Sequence, residues 1–236
     1  MRMTKNGPLY QLTFLPKLLP INCYIIDEET ELTLVDAALS LHAKQILLSI
    51  RVMQKPLTQI IITHAHMDHL GALDAIKREW PDAVVSMSSR DARLLAGDTS
   101  PLPGEPDSPI KGGVPTNIRT QPDRLLKEGD RVGSLEVVNT PGHTPGSISL
   151  LDTRNRFLIV GDALQTHGGI AVSGTFKALF PFPALATWNK KIALESAKKI
   201  KKLDPQLLAV GHGKMMVHPL KALESAILES EKKNWH

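Results

Sequence analysis

The sequence predicts an α+β fold in which two mixed β-sheets pack face to face with helices outside, a four-layer αββα sandwich. Three observations carry this reading. Short β-branched and apolar runs fill both halves of the chain, each half closes on amphipathic helices, and the runs end repeatedly on glycine followed by histidine or aspartate. At 236 residues the chain fits one domain, residues 1–236, and a domain of this size buries roughly 70–75% of its unfolded surface.

Residues 9–15, 22–27 and 32–35 alternate or run apolar around the polar turn Glu28-Glu29-Thr30, so the chain opens as a β-meander. Residues 40–53 place Leu41, Ile46, Leu47, Ile50 and Met53 at near-helical spacing and predict an amphipathic helix. A strand over 57–62, a helix over 71–80, a strand over 83–87 and a short helix over 90–96 then alternate as a βαβ layer requires. Residues 97–123 carry six prolines and little periodicity. A structureless segment of that length is usually functional or mobile, so it reads as a loop at the mouth of a site, or else as a surface insertion. Strands over 134–140, 147–152, 156–160 and 206–210 and helices over 187–202 and 219–233 make the second half. Residues 163–186 form a further loop whose Phe180 and Phe182 read either as an apolar wall for substrate or as core.

The chemistry lies in Thr63-His64-Ala65-His66-Met67-Asp68-His69, directly after the apolar run Ile60-Ile61-Ile62. Three histidines and an aspartate on a tight turn suit zinc, which takes imidazole and carboxylate ligands. Gly142-His143, Gly161-Asp162 and Gly211-His212 each follow another apolar run. Several strand ends are therefore aimed at one place, and core packing does not explain such convergence.

These motifs resemble those of the metallo-β-lactamase fold superfamily, with Val35-Asp36 matching its early aspartate, over residues 10–218. The resemblance implies the αββα fold and a dinuclear hydrolase of the glyoxalase II-like or lactonase-like branch. It implies that His64, His66 and His143 hold one metal, Asp68, His69 and His212 a second, and that Asp162 bridges them, with Asp36 supporting the ligand histidines from behind. The seven donors independently suit two four-coordinate ions, so two Zn2+ per chain are expected, with manganese or iron able to replace zinc. A metal-bridging hydroxide would then cleave a small carboxylic ester, lactone or thioester, with Asp68 also handling a proton. The alternatives are a mononuclear iron persulfide dioxygenase and a phosphodiesterase or nuclease of the same fold. Zinc β-lactamases of the commonest type carry cysteine where Asp162 stands, flavodiiron proteins carry glutamate where His66 stands, and glyoxalase II enzymes add a larger C-terminal helical region.

The remaining residues bound the rest. His167, five positions past Asp162, is a candidate substrate contact, Lys214 a candidate contact for an anionic substrate, and His42 and His236 read as solvated. Cys23, the sole cysteine, excludes an internal disulfide and reads as core. The net charge of +4 and pI near 9.1 permit nucleic-acid binding, but the lysines concentrate on two helices, which reads as a solvated face. Without an apolar leader or a run near 20 residues, the expectation is a cytoplasmic protein with a small-molecule substrate and no nucleic-acid or membrane partner.

Overall fold

The structure, a computed structural model, describes residues 1–234. Its first sheet is built from β1 (Arg2–Asn6), β2 (Leu9–Phe14), β3 (Ile21–Asp27), β4 (Leu32–Val35), β5 (Leu57–Ile62), β6 (Val84–Ser88) and β7 (Arg124–Leu126), in that spatial order. Strands β1 to β4 are antiparallel neighbours joined by short turns, whereas β4, β5, β6 and β7 run parallel. Parallel neighbours need crossovers, and α1 (Ala43–Val52), α2 (Met67–Leu70), α3 (Leu73–Glu79) and α4 (Ser89–Leu95) supply them.

The second sheet contains β8 (Arg131–Val132), β9 (Leu135–Asn139), β10 (Ile148–Asp152), β11 (Phe157–Ile159), β14 (Leu207–Ala209) and β15 (Met216–Val217), ordered β15-β14-β11-β10-β9-β8. Its one parallel pair, β11 with β14, is bridged through a hairpin of β12 (Leu164–Gln165) and β13 (Ala171–Val172), then α5 (Phe182–Leu185) and α6 (Lys190–Lys202). Helix α7 (Leu220–Asn234) closes the described chain.

Side chains divide between layers by strand alternation. On β3, Tyr24 and Ile26 face the second sheet, where Leu135, Val137, Ile148 and Leu150 meet them, while Ile21, Cys23 and Ile25 face the helices of the first. On β14, Leu208 turns outward to Ala197, Ile200 and Leu223 of α6 and α7, while Leu207 and Ala209 turn inward. Each fully buried aliphatic side chain contributes about 1.5–3 kcal/mol, so a one-residue slip that exposed a strand's inner set would cost several times that. The registers are fixed accordingly.

Three features depart from the expectation. Strand β1 was not expected, since its side chains are mostly exposed and Arg-Met-Thr-Lys-Asn has no apolar alternation. A single 3-10 turn, Ser40–His42, precedes α1 and buries His42 against Phe14, with ring centroids 4.1 Å apart, so His42 is not solvated. Burial lowers its pKa. The segment 163–186 is not uniformly loop, because β12, β13 and α5 lie within it. His236 lies outside the described residues. Cys23 is buried, and burial pushes its thiol pKa well up. No described helix is long and apolar enough to cross a membrane.

Candidate metal centre

Asp36 follows β4, Thr63 and His64 follow β5, His143 follows β9, Asp162 follows β11 and His212 follows β14, so strand ends from both sheets converge. Three overlapping groups result: His64, His66 and His143; His64, His69 and Asp162; and Asp68, His69 and His212. Within each, the nearest donor atoms lie within 4.8 Å of one another.

Each imidazole has one nitrogen anchored outside the centre, and the anchors fix where its proton sits. The Asp36 carboxylate accepts from the Thr63 amide at 2.8 Å, from the Thr63 hydroxyl at 2.9 Å and from His69 Nδ1 at 2.8 Å. The only Thr63 hydroxyl proton is thereby used, so Thr63 Oγ1 accepts from His64 Nδ1 at 3.0 Å. A second relay serves His143. The Thr187 hydroxyl donates to the Pro183 carbonyl, the Ser173 hydroxyl donates to Thr187 Oγ1, and Ser173 Oγ accepts from His143 Nδ1 at 2.9 Å. His66 Nε2 donates to the Lys111 carbonyl at 2.9 Å, and His212 Nδ1 to the Pro20 carbonyl at 2.7 Å.

Five ring nitrogens are left pointing inward, Nε2 of His64, His69, His143 and His212 and Nδ1 of His66. His66 Nδ1 and His143 Nε2 face each other at 2.9 Å. Two unprotonated nitrogens at that distance repel unless a proton or a metal ion lies between them. His64 Nε2, His69 Nε2 and Asp162 Oδ1 are buried without a protein hydrogen-bond partner, which is costly unless something else satisfies them. Asp162 lies among the rest, 3.4 Å from His69 Nε2, 3.4 Å from His143 Nε2 and 3.1 Å from His212 Nε2. The donor set fits divalent metal.

Electrostatics separates the two halves. Burial, reinforced by neighbouring imidazoles, pushes the pKa of His64 well down and that of His143 to about 3, so both stay neutral. Burial also opposes charge on His69 and His212, but Asp162, Asp68 and, for His69, Asp36 outweigh it. His69 is raised well above its usual value and His212 to about 10. Burial likewise works against ionised Asp68 and Asp162, yet His69 and His212 hold both below the usual carboxylate range. Without metal, protons therefore sit where cations would.

A cavity of about 530 Å³ opens over Asp68, Asp162, His66, His143 and His212. Leu19, Leu39, Met67, Phe182 and Leu185 form much of its wall, and its lining contains no lysine or arginine among the described residues. The segment 97–123 reaches it through Gly112 and Gly113, and is tied down by Met67 N donating to Gly113 O and by Trp188 Nε1 donating to Ser108 O, both at 2.9 Å. Of the three expected substrate contacts, Phe182 is 57% exposed on that wall. Phe180, at 1%, lies beneath it instead, its ring centroid 5.2 Å from that of His212. His167 packs on Phe180 and lines a separate cleft with Lys214 and Arg2, its amide donating to the His212 carbonyl at 3.2 Å.

A model of the Metallo-beta-lactamase superfamily matches residues 16–212. The chain belongs to that superfamily. Within it, the chain is 51% identical over 232 residues to the uncharacterized protein YobT of Bacillus subtilis, covering 98% of this chain and 100% of that one. It is 34% identical over 173 residues to the probable metallo-hydrolase YflN of Bacillus subtilis, covering 66% and 64% of the two chains. The metallo-beta-lactamase from Pontibacter korlensis shares the fold, with a TM-score of 0.71 at 18% identity over 96% of this chain and 98% of that one.

The anchors Lys111 and Pro20 were missed because a backbone carbonyl leaves no mark in a sequence. Asp91 was also missed. Its signal was present, as Ser88-Ser89-Arg90-Asp91 has the spacing of a helix-capping pair, and Ser88 does cap α4 by accepting from Asp91 N.

Proposed function

We propose that this protein is a dinuclear metal-dependent hydrolase acting on a small carboxylic ester, lactone or thioester that carries an apolar group. The observation behind this is the gathering of five inward ring nitrogens with the Asp68 and Asp162 carboxylates in three overlapping groups. Seven donors exceed what one four-coordinate ion takes. His64, His66 and His143 would hold one metal and Asp68, His69 and His212 the other, with Asp162 between them. Zinc suits these donors, and manganese or iron accepts them too. What such ions supply is Lewis acidity and a water acidified to a pKa of about 7.

The chain's own groups do the rest. Asp68 is 31% exposed and lines the cavity, so its carboxylate is placed to take the attacking water's proton and return it to the leaving group. Leu19, Leu39, Met67, Phe182 and Leu185 would hold the apolar part of the substrate and keep water from it. A polyanion is disfavoured, since desolvating phosphates without paired cations is costly. The basic charge of the chain lies elsewhere, with Lys198, Lys199 and Lys201 of α6 each already paired to glutamate.

The test is metal analysis followed by rates on matched esters, lactones, thioesters and phosphodiesters. About two equivalents of divalent metal and preference for the acyl substrates are expected. Faster phosphodiester cleavage would overturn the substrate reading. One equivalent of iron, with activity unaffected by Asp68→Ala or His212→Ala, would overturn the dinuclear one.

A further inference from the structure

A buried carboxylate that this chemistry leaves unused lies behind the three-histidine half. Asp91 is in the first turn of α4 and is 0% exposed. An aspartate there ordinarily serves its own helix by complementing the dipole. Its oxygens go elsewhere. Oδ2 accepts from the Ala65 amide at 2.8 Å and the Thr144 hydroxyl at 2.7 Å, and Oδ1 accepts from the Gly146 amide at 2.8 Å. Ala65 stands between His64 and His66, and Thr144 directly follows His143. One carboxylate thus ties the turn after β5 to the turn after β9, across the seam between the sheets.

The approach is tight. A Cβ on Gly146 would fall 2.4 Å from Asp91 Oδ1, so glycine is what lets this turn close on the carboxylate. Burial raises the pKa of Asp91, and the three donors work against that rise. Keeping a carboxylate here is costly, and a carboxylate is the one side chain of this size that offers only acceptors to donors from two directions.

We propose that Asp91 is a positioning residue whose carboxylate sets the spacing of His66 and His143, and so tunes the three-histidine metal position without touching metal or substrate. This rests on the metal-centre reading above. The Asp68, His69 and His212 half takes its anchors from Asp36 and Pro20 instead. The two halves should therefore respond separately to Asp91. In Asp91→Asn the amide NH2 would confront one or more of these donors, so the shape is kept while the brace fails.

The experiment compares wild type, Asp91→Asn and Thr144→Val, the last removing one bond of the brace while keeping Asp91. Zinc is titrated against a competing chelator, and histidine ring nitrogen signals are recorded by NMR on the metal-free proteins. Asp91→Asn should weaken one zinc-binding step by about 10–100-fold and leave the other within about twofold. Thr144→Val should weaken the same step by less. In the metal-free spectra the His66 and His143 signals should move in both variants, while those of His69 and His212 stay. Equal weakening of both steps, or unmoved His66 and His143 signals in folded Thr144→Val, would overturn the proposal. If Asp91→Asn does not fold, Thr144→Val decides alone. A wild type that binds no zinc would instead defeat the metal reading, and the metal-free signals would still decide the role of Asp91.

Discussion

Individual residues in this centre differ in how many neighbours depend on them. Asp162 faces donors of both halves, whereas His212 serves one. Asp162→Ala should therefore lose more metal and more activity than His212→Ala, beyond the roughly 10–100-fold typical of groups behind the ligands. An Asp162 variant with full metal content and rate would refute the assignment. Asp36 is a group of that supporting kind. It adopts φ 62°, an unusual conformation for a non-glycine residue, and three hydrogen bonds hold it there. Asp36→Ala should cost about 10–100-fold in metal affinity, measured by chelator competition. The pKa of His212, near 10 without metal, lies above pH 7, so the ring carries a proton that metal must displace. Metal uptake at pH 7 should release protons, and calorimetry in buffers of different ionisation enthalpy would read them. Above about pH 10 the His212 contribution should vanish, because its proton has already left.

At the scale of elements, the segments over the cavity divide their labour. Phe182 begins α5 and faces the opening, while Phe180, two residues earlier, supports His212 from below. Phe182→Ala should change the preference for acyl-chain length and leave thermal stability nearly unaltered. Phe180→Ala should instead destabilise the protein by about 3–5 kcal/mol, as truncation of a buried aromatic does. Denaturant unfolding beside a chain-length series separates the two, and the reverse pattern would refute this placement. The strands that carry the candidate ligands were legible in the sequence, since an apolar run closed by Gly-His or Gly-Asp marks both where a strand stops and what it presents. Strand β1 was not, because an edge strand with solvated side chains lacks the alternation that burial imposes. Nor was the inward turn of Phe180 against the outward turn of Phe182, which depends on the path of a loop rather than on a period. His42 was misread for a related reason: the helical pattern starts only at Ala43, and a tertiary partner, Phe14, decides its burial.

For the molecule as a whole, the centre joins residues far apart in the chain. His64, His66, Asp68 and His69 follow a strand of the first sheet, whereas His143, Asp162 and His212 follow strands of the second. The donor atoms meet only when the two sheets are docked in register. The centre is in this sense a clasp across the seam, and its closure reports that both halves have found each other. Contacts of such long sequence separation form late, because the loop entropy must be overcome first. A half-folded chain with only the first sheet in place offers His64, His66, Asp68 and His69 without His143, Asp162 and His212, so it should hold metal more weakly than the finished protein. Loading then follows assembly rather than directing it. A chain refolded in chelator and given metal afterwards should reach the same metal content as one refolded with metal throughout, and the clasp discriminates against misdocked copies simply by failing to close on them.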